Sequence, residues 1–185
     1  MERLITLSSD ELLERWKLGH YYEPLRTDCQ LTVTMGIDLD ALLKLRMRER
    51  YISLLLSEPN PELPVTDLTP DLTLTRAPDG AGLVSRPADC LRVVLVKCQG
   101  WMKPARILTD PDSAEARAQA SPMAHGGCYD PVAIVFDDSI LLYTPPADSE
   151  PRLEKLLAVT LPPDDTYVLT PYLLTRLTEA DYELQ

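Results

Sequence analysis

The chain has 185 residues, a formal net charge of −11, and a composition that is 45% hydrophobic and 25% charged. This length favours one domain, and the acidic balance argues against wrapping nucleic acid or binding an anionic membrane, since both need clustered Lys and Arg. No apolar run in the sequence approaches the roughly 20 residues of a membrane span. The N-terminal segment also lacks a signal-peptide core, so we expect a cytoplasmic origin.

The first helix is predicted from a local capping pattern. Ser8 and Glu11 have the spacing of a capping box, in which each side chain satisfies a backbone N–H of the other residue. The apolar face that follows consists of Leu12, Leu13 and Trp16. Pro24 bounds this segment, and residues 31–35 fit either a short strand or a loop.

Residues 38–57 predict the longest helix, with Asp38 as its N-cap. Its predicted apolar face consists of Leu39, Leu42, Leu43, Met47, Ile52, Leu55 and Leu56. Its predicted charged stripe, which we expect to face solvent or a partner, consists of Arg46, Arg48, Glu49 and Arg50.

The middle of the chain changes to β structure. An extended, proline-rich connection follows the long helix and contains a candidate strand at 72–76. Gly80 and Gly82 predict a turn that uses positive φ angles. Residues 90–98 are β-branched and almost continuously apolar, which predicts a strand.

The next elements follow from turn and cap signals. Residues 101–108 are expected to pair with the preceding strand as a hairpin through Gly100. Residues 110–120 predict a short helix with Asp110 as N-cap and Pro111 at its first position.

The last third predicts a hairpin, a strand and a closing helix. Residues 131–146 contain two apolar runs around a turn, and 153–163 favour a further strand, although their pattern also allows a helix. Thr170 as N-cap and Pro171 at the first position begin a terminal helix. Its apolar face consists of Leu173, Leu174, Leu177, Ala180 and Leu184.

This order predicts an α+β fold with helices at both ends around a central antiparallel β-rich insertion. The chain is expected to be a single domain. The expected bounds are about 38–57 for the long helix, 171–183 for the C-terminal helix, 1–58 and 166–185 for the helical part, and 72–162 for the insertion.

The sequence "HGGC" raises the question of a metal site. His125 and Cys128 have the spacing of one ligand pair, but structural zinc needs a second pair. That pair would have to be Cys90 and Cys98, which would lie roughly 26 Å apart along a regular strand. We therefore expect no metal and no cofactor.

Cys128 is also the candidate nucleophile of a small thiol hydrolase with His125 as base. Neither residue lies in a recognisable catalytic signature. The simpler interpretation, which we favour, is a glycine-rich loop that leads into the strand after Pro131.

One stretch, "PDGAGLVSRPADCLRVVLVKCQGWMKPARIL", carries a family resemblance. Its pattern is a glycine turn, then a proline, an aspartate and an arginine, then a strand that ends in glycine and tryptophan. The positions are Asp79, Gly80, Gly82, Pro87, Asp89, Leu91, Arg92, Gly100 and Trp101. The pattern resembles head-to-tail connector proteins from the neck of tailed bacteriophages and prophages, especially those of gut Bacteroidales.

The resemblance implies a non-enzymatic virion protein that forms a ring between portal and tail, assembled in the host cytoplasm. Its implied partners are the portal, neighbouring neck or tail proteins and further copies of itself, while DNA passes through the channel without specific binding. We expect interface roles for Trp101, Arg46, Arg48 and Arg50, with the isolated chain monomeric or weakly associating. The alternatives are a cytoplasmic protein-interaction module of a mobile element or gut bacterium, and the thiol hydrolase.

Overall fold

The computed structural model describes residues 4–19, 38–78, 80–121, 123–124, 126–145 and 151–179. Its contacts divide the chain into two compact units. Unit 1 combines Met1–Pro64 with Leu161–Gln185, and unit 2 is Val65–Thr160. Unit 2 is therefore inserted into unit 1, with one connection in and one connection out.

In chain order the elements are β1 (Ile5–Ser8), α1 (Ser9–Gly19), α2 (Leu39–Ser57), a 3₁₀ turn (Asn60–Glu62), β2 (Val65–Asp67), β3 (Leu74–Arg76), β4 (Gly82–Ser85), β5 (Cys90–Cys98), β6 (Arg106–Leu108), α3 (Ala114–Gln119), β7 (Val132–Val135), β8 (Ser139–Leu142), β9 (Leu153–Thr160), β10 (Thr166–Leu169) and α4 (Pro171–Thr178). The fold class is α+β, as the sequence predicts. Residues 31–35, Ala180 and Leu184 lie outside the described residues.

Unit 1 packs three helices with one small sheet. β1 pairs antiparallel with β10, and α1, α2 and α4 contact one another. The predicted capping box is confirmed at the start of α1. The Ser8 N–H donates to the Glu11 carboxylate at 2.9 Å, and the Glu11 N–H donates to Ser8 Oγ at 3.3 Å.

The buried face of α2 differs from the predicted one. It consists of Leu43, Met47, Tyr51, Leu54 and Leu55, whereas Leu42 and Leu56 are 41% and 51% exposed. The face is rotated because Tyr51 is buried. Its hydroxyl donates to the Val168 carbonyl at 2.8 Å, which satisfies the polar group inside the core.

Arg48 does not lie on a solvated stripe, so that prediction is wrong for this residue. Its guanidinium donates to the carbonyls of Pro162 at 2.5 Å and Thr166 at 3.3 Å. It also lies 5.8 Å and 5.4 Å from the ring centroids of Tyr51 and Tyr167. Arg48 therefore links α2 to the first residue of β10 and to the segment before it, all within unit 1.

Unit 2 contains two sheets that share one hydrophobic core. The first has the order β2-β9-β5 and is antiparallel, and the second has the order β3-β4-β8-β7-β6. The shared core consists of Leu68, Leu74, Val84, Cys90, Val93, Val96, Cys98, Trp101, Ala105, Ala133, Val135, Ile140, Leu142, Leu156 and Ala158. A second cluster joins Ala116 of α3 to Val132 and Ile134 of β7. β7 is therefore covered on both faces, which explains its uninterrupted apolar sequence.

The predicted hairpin between 90–98 and 101–108 is wrong. β5 pairs with β9, and β6 pairs in parallel with β7, where Arg106 opposes Val132. Gly100 does make a turn, with a φ of 87°. Trp101 then enters the core, and the chain comes back beside β5 at one hydrogen bond, from the Ala105 N–H to the Val96 carbonyl at 2.8 Å, without forming a ladder with it.

Two further predictions, the N-cap of the short helix α3 and the positive φ of Gly82, are wrong. The N-cap of α3 is Ser113, whose hydroxyl accepts from the Ala116 N–H at 3.2 Å, whereas Asp110 accepts from the Asp112 N–H in the preceding turn. Gly80 has the expected positive φ of 87°, but Gly82 lies in β4. A Cβ at Gly82 would lie 2.8 Å from the Leu74 Cδ1 atom, so close packing accounts for that glycine.

Arg86 holds the end of β4 to the start of β5. Its guanidinium donates to the carbonyls of Cys90 and Leu91 at 2.6–3.1 Å, and to that of Phe136 at 3.0 Å. The planar fork of arginine reaches all three carbonyls, which a single ammonium group cannot do.

Replacing Arg86 by Lys is therefore expected to lower the free energy of unfolding by about 1–3 kcal/mol, because partly buried carbonyls lose their donors. Urea denaturation followed by circular dichroism measures the change. The matched control is Arg117→Lys on an exposed position of α3, for which we expect a change within about 0.5 kcal/mol. Equal midpoints for the two variants would contradict the role of Arg86.

Candidate functional site

A cavity of about 720 Å³ lies beside β3 in unit 2. Its lining consists of Thr69, Leu72, Thr73, Leu74, Thr75, Arg76, Pro151, Arg152 and Leu153. β3 is the outer strand of its sheet. Hydroxyl groups and two arginines give this lining hydrogen-bonding capacity and positive charge, which suit a polar or anionic ligand. None of these lining residues is Asp, Glu, His or Cys.

The cysteine side chains that the structure describes occupy different environments. Cys90 and Cys98 are buried in the core of unit 2, and Cys128 is half-buried. Burial raises the pKa of the Cys98 thiol to about 12, so the thiolate that a nucleophile or metal ligand requires is disfavoured. Within the described ranges, no group of three or more His, Cys, Asp and Glu side chains could hold a metal ion.

Within the "HGGC" segment, Gly126 packs back onto α3. The Gly126 N–H donates to Gln119 Oε1 at 3.0 Å, and the Gln119 side chain is buried. A Cβ at Gly126 would lie 2.0 Å from the Asp130 carbonyl oxygen, so only glycine fits. These contacts support the interpretation of this segment as a structural loop. His125, its proposed base or ligand, lies outside the described residues.

We expect the cysteines to differ in alkylation. Iodoacetamide at pH 8 should modify Cys128 in the native protein, whereas Cys98 should react only in denaturant, because its thiol is buried and protonated. Mass spectrometry of the separate cysteine peptides measures each extent of labelling. Equal labelling of Cys98 and Cys128 in the native state would contradict the burial of Cys98.

The residues that carry the family resemblance surround β5. Gly80 and Gly100 make turns with positive φ, and the Pro87 carbonyl accepts from the Cys90 N–H at 3.0 Å. The others are Gly82 in β4, exposed Asp89, and half-buried Leu91 and Arg92 in β5, while Asp79 lies outside the described residues. The described motif residues thus shape the backbone around this strand.

The four expected interface residues lie in different units and environments. Trp101 is buried in the core of unit 2, 3% exposed, and its indole N–H donates to the Thr144 carbonyl at 2.6 Å. Trp101 therefore packs inside unit 2 and does not lie on its surface. In unit 1, Arg50 donates to the Arg176 carbonyl at 3.1 Å, and Arg46 is exposed.

An exposed apolar surface on α2 was missed by the sequence interpretation. Leu42, Leu45 and Leu56 are 41%, 57% and 51% exposed. With Glu49 and Ile52 they recur at alternating spacings of three and four residues, which is the a/d pattern of a helix seam. We call these five residues the α2 ridge. The spacing is readable in the sequence, but two of its leucines were assigned to the buried face.

A second exposed surface lies in unit 2, where the Met102 N–H donates to the Cys128 carbonyl at 3.0 Å. Met102 and Tyr129 are 69% and 74% exposed. Lys103 and Asp130 form an ion pair at 2.7 Å beside them, and the hydrogen bond from Lys103 lowers the pKa of Asp130. We call Met102, Lys103, Tyr129 and Asp130 the Met102 patch.

Comparison with protein-family models and with curated protein sequences finds no match to this chain. Among the helices of the described ranges, none is both long enough and apolar enough to cross a bilayer.

Proposed function

We propose that this chain is a structural protein of the neck of a tailed phage or prophage, and that it forms a ring-shaped adaptor between portal and tail. The observation that carries the proposal is the α2 ridge. α2 already buries one complete face inside unit 1, yet its opposite face presents three leucines at seam spacing. A row of exposed leucines at this spacing suits a subunit that packs against neighbours.

The charge of the chain agrees with this role. A formal net charge of −11 gives the surface a repulsive field toward phosphates. In a ring around a channel, such a field lets DNA pass without binding. The resemblance of residues 79–101 to connector proteins is the second support, because its glycines make the two turns around β5.

A second candidate is a cytoplasmic protein-interaction module of a mobile element or gut bacterium. The observation that favours it is the cavity beside β3, where Arg76 and Arg152 contribute positive charge to an otherwise acidic chain. This candidate predicts one anionic partner at simple stoichiometry.

Recruitment to the portal tests the proposal. We expect purified portal complex to bind many copies of the chain and electron microscopy of particles carrying a labelled chain to place the label at the neck. Mass photometry counts the copies in each complex. A single copy per partner favours the interaction module, and a label absent from the neck contradicts the adaptor proposal.

A further inference from the structure

We infer that the α2 ridge of one copy contacts the Met102 patch of the next copy in a head-to-tail arrangement, with Glu49 of the first copy paired with Lys103 of the second. This inference rests on the proposed ring for its biological setting, but the contact is argued from the two surfaces themselves. Both surfaces lie within described parts of the chain.

The charge in the middle of the α2 ridge restricts what can cover it. Glu49 occupies the centre of the seam, with Leu45 on one side and Ile52 on the other. A partner that buries these apolar residues must also supply a positive charge to Glu49, because an unpaired buried carboxylate is strongly unfavourable.

Pairing of the ridge with the same ridge of a second copy does not meet this requirement. In a parallel helix pair, the two Glu49 side chains share one layer and repel each other. In an antiparallel pair, Glu49 of each copy faces Leu45 or Ile52 of the other, because a positions meet d positions. In both arrangements the position directly opposite Glu49 carries like charge or hydrocarbon, so a positive charge could reach it only from beside the ridge, where Arg46 lies.

The Met102 patch supplies the required chemistry. Met102 is a flexible apolar side chain that adapts to irregular surfaces, and tyrosine is enriched at protein interfaces. Lys103 lies beside Met102 and gives Glu49 a positive partner. Asp130, already paired with Lys103 at 2.7 Å, gives the exposed Arg46 next to the ridge a negative one.

The contact joins two pairs of opposite charges, flanked by apolar side chains on both surfaces. Because the two surfaces differ, every copy added leaves one ridge and one patch free at the ends of the chain of subunits. Every ridge and every patch has a partner in such a heterologous arrangement only when the subunits close into a ring.

Cross-linking of the full chain, at a protein concentration high enough to populate weak association, gives the first test. A carbodiimide joins a carboxylate to an amine without a spacer, so it should connect Glu49 to Lys103. An equal mixture of isotopically light and heavy protein should give Glu49–Lys103 peptides of mixed isotope composition, which shows that the link is between copies. Mixed-isotope peptides that join Glu49 to other lysines in place of Lys103, or no mixed-isotope Glu49 peptide at all, would overturn the inference.

Charge reversal gives the second test. Glu49→Lys and Lys103→Glu should each lower association between copies, in free solution and on the portal, by roughly tenfold or more, since one close charge pair becomes repulsive. The double variant should regain association, because the two charges are then exchanged across the contact and attract each other again. An equal mixture of the two single variants should also associate, since each unlike contact is attractive.

The matched control is Lys155→Glu, which removes an exposed ion pair with Asp67 of the same 2.7 Å length elsewhere in unit 2. It should leave association unchanged, and circular dichroism confirms that each variant is folded. Loss of association for Glu49→Lys but not for Lys103→Glu would indicate contact between two ridges and overturn the inference.

The two proposals fail separately. A label found at the neck without the Glu49–Lys103 contact refutes this inference and leaves the adaptor proposal standing. The contact found in copies that are absent from the neck refutes the adaptor and supports the inference.

Discussion

Replacing Trp101 by Ala is expected to lower the free energy of unfolding by about 3–5 kcal/mol. The indole is almost completely buried in the shared core of the two sheets of unit 2. The substitution removes its packing and also leaves the Thr144 carbonyl without the 2.6 Å bond from the indole N–H. Urea denaturation followed by circular dichroism measures this loss.

The neighbouring residue provides the control. Met102 is 69% exposed, so Met102→Ala is expected to change the free energy of unfolding by no more than about 0.5 kcal/mol. The two variants therefore compare a core position with the surface position next to it in the chain. If Trp101→Ala unfolds at the same urea concentration as Met102→Ala, the core position of Trp101 is wrong.

Replacing Leu55 by Ala is expected to lower the free energy of unfolding by about 2–5 kcal/mol. Leu55 is 0% exposed on the inner face of α2, where a smaller side chain leaves a cavity in unit 1. The chain has one tryptophan in each unit, and buried Trp16 reports on unit 1. Its fluorescence in urea follows the transition, and Leu55→Ala is compared with Leu55 in the same Trp101→Phe background, so that the effect of removing the second tryptophan cancels.

Leu56→Ala is the control for Leu55→Ala, since it changes the same residue type one position along the same helix. Leu56 belongs to the α2 ridge and is 51% exposed. Its truncation should therefore change the free energy of unfolding by no more than about 0.5 kcal/mol. A larger loss of unfolding free energy for Leu56→Ala than for Leu55→Ala would show that the buried and exposed faces of α2 are assigned the wrong way round.

The elements that follow from short-range signals could be predicted from the sequence. Asp38 accepts from the Ala41 N–H and Thr170 from the Leu173 N–H, as N-cap patterns predict. β7 and β8 form a hairpin because two apolar runs flank a short turn. All these features involve residues only a few positions apart.

The missed elements depend on distant partners. β1 is only four residues long and exists because it pairs with β10 at the other end of the chain. β2 has three residues and pairs with β9. Strands this short carry little signal of their own, so their pairing is decided by tertiary structure.

The two candidate surfaces also differ in how far the sequence predicts them. The seam spacing of the α2 ridge is local and visible in the sequence, but its exposure follows from the burial of Tyr51 on the opposite face. The Met102 patch is not readable locally, because a backbone hydrogen bond brings Met102 beside Cys128. The positions of Trp101 and Arg48 likewise follow from partners more than 40 residues away.

The pairing of β2 with β9 has a consequence for how the two units fold. Val65 opposes Val159, so the chain enters and leaves unit 2 at neighbouring positions. When unit 2 is unfolded, unit 1 must close a loop of roughly 100 residues, and when unit 2 is folded the same loop acts as a link of a few residues. The difference in closure entropy is about 3 kcal/mol. Folding of the insertion therefore stabilises unit 1 by restricting its unfolded chain, so damage to the core around Trp101 weakens both units.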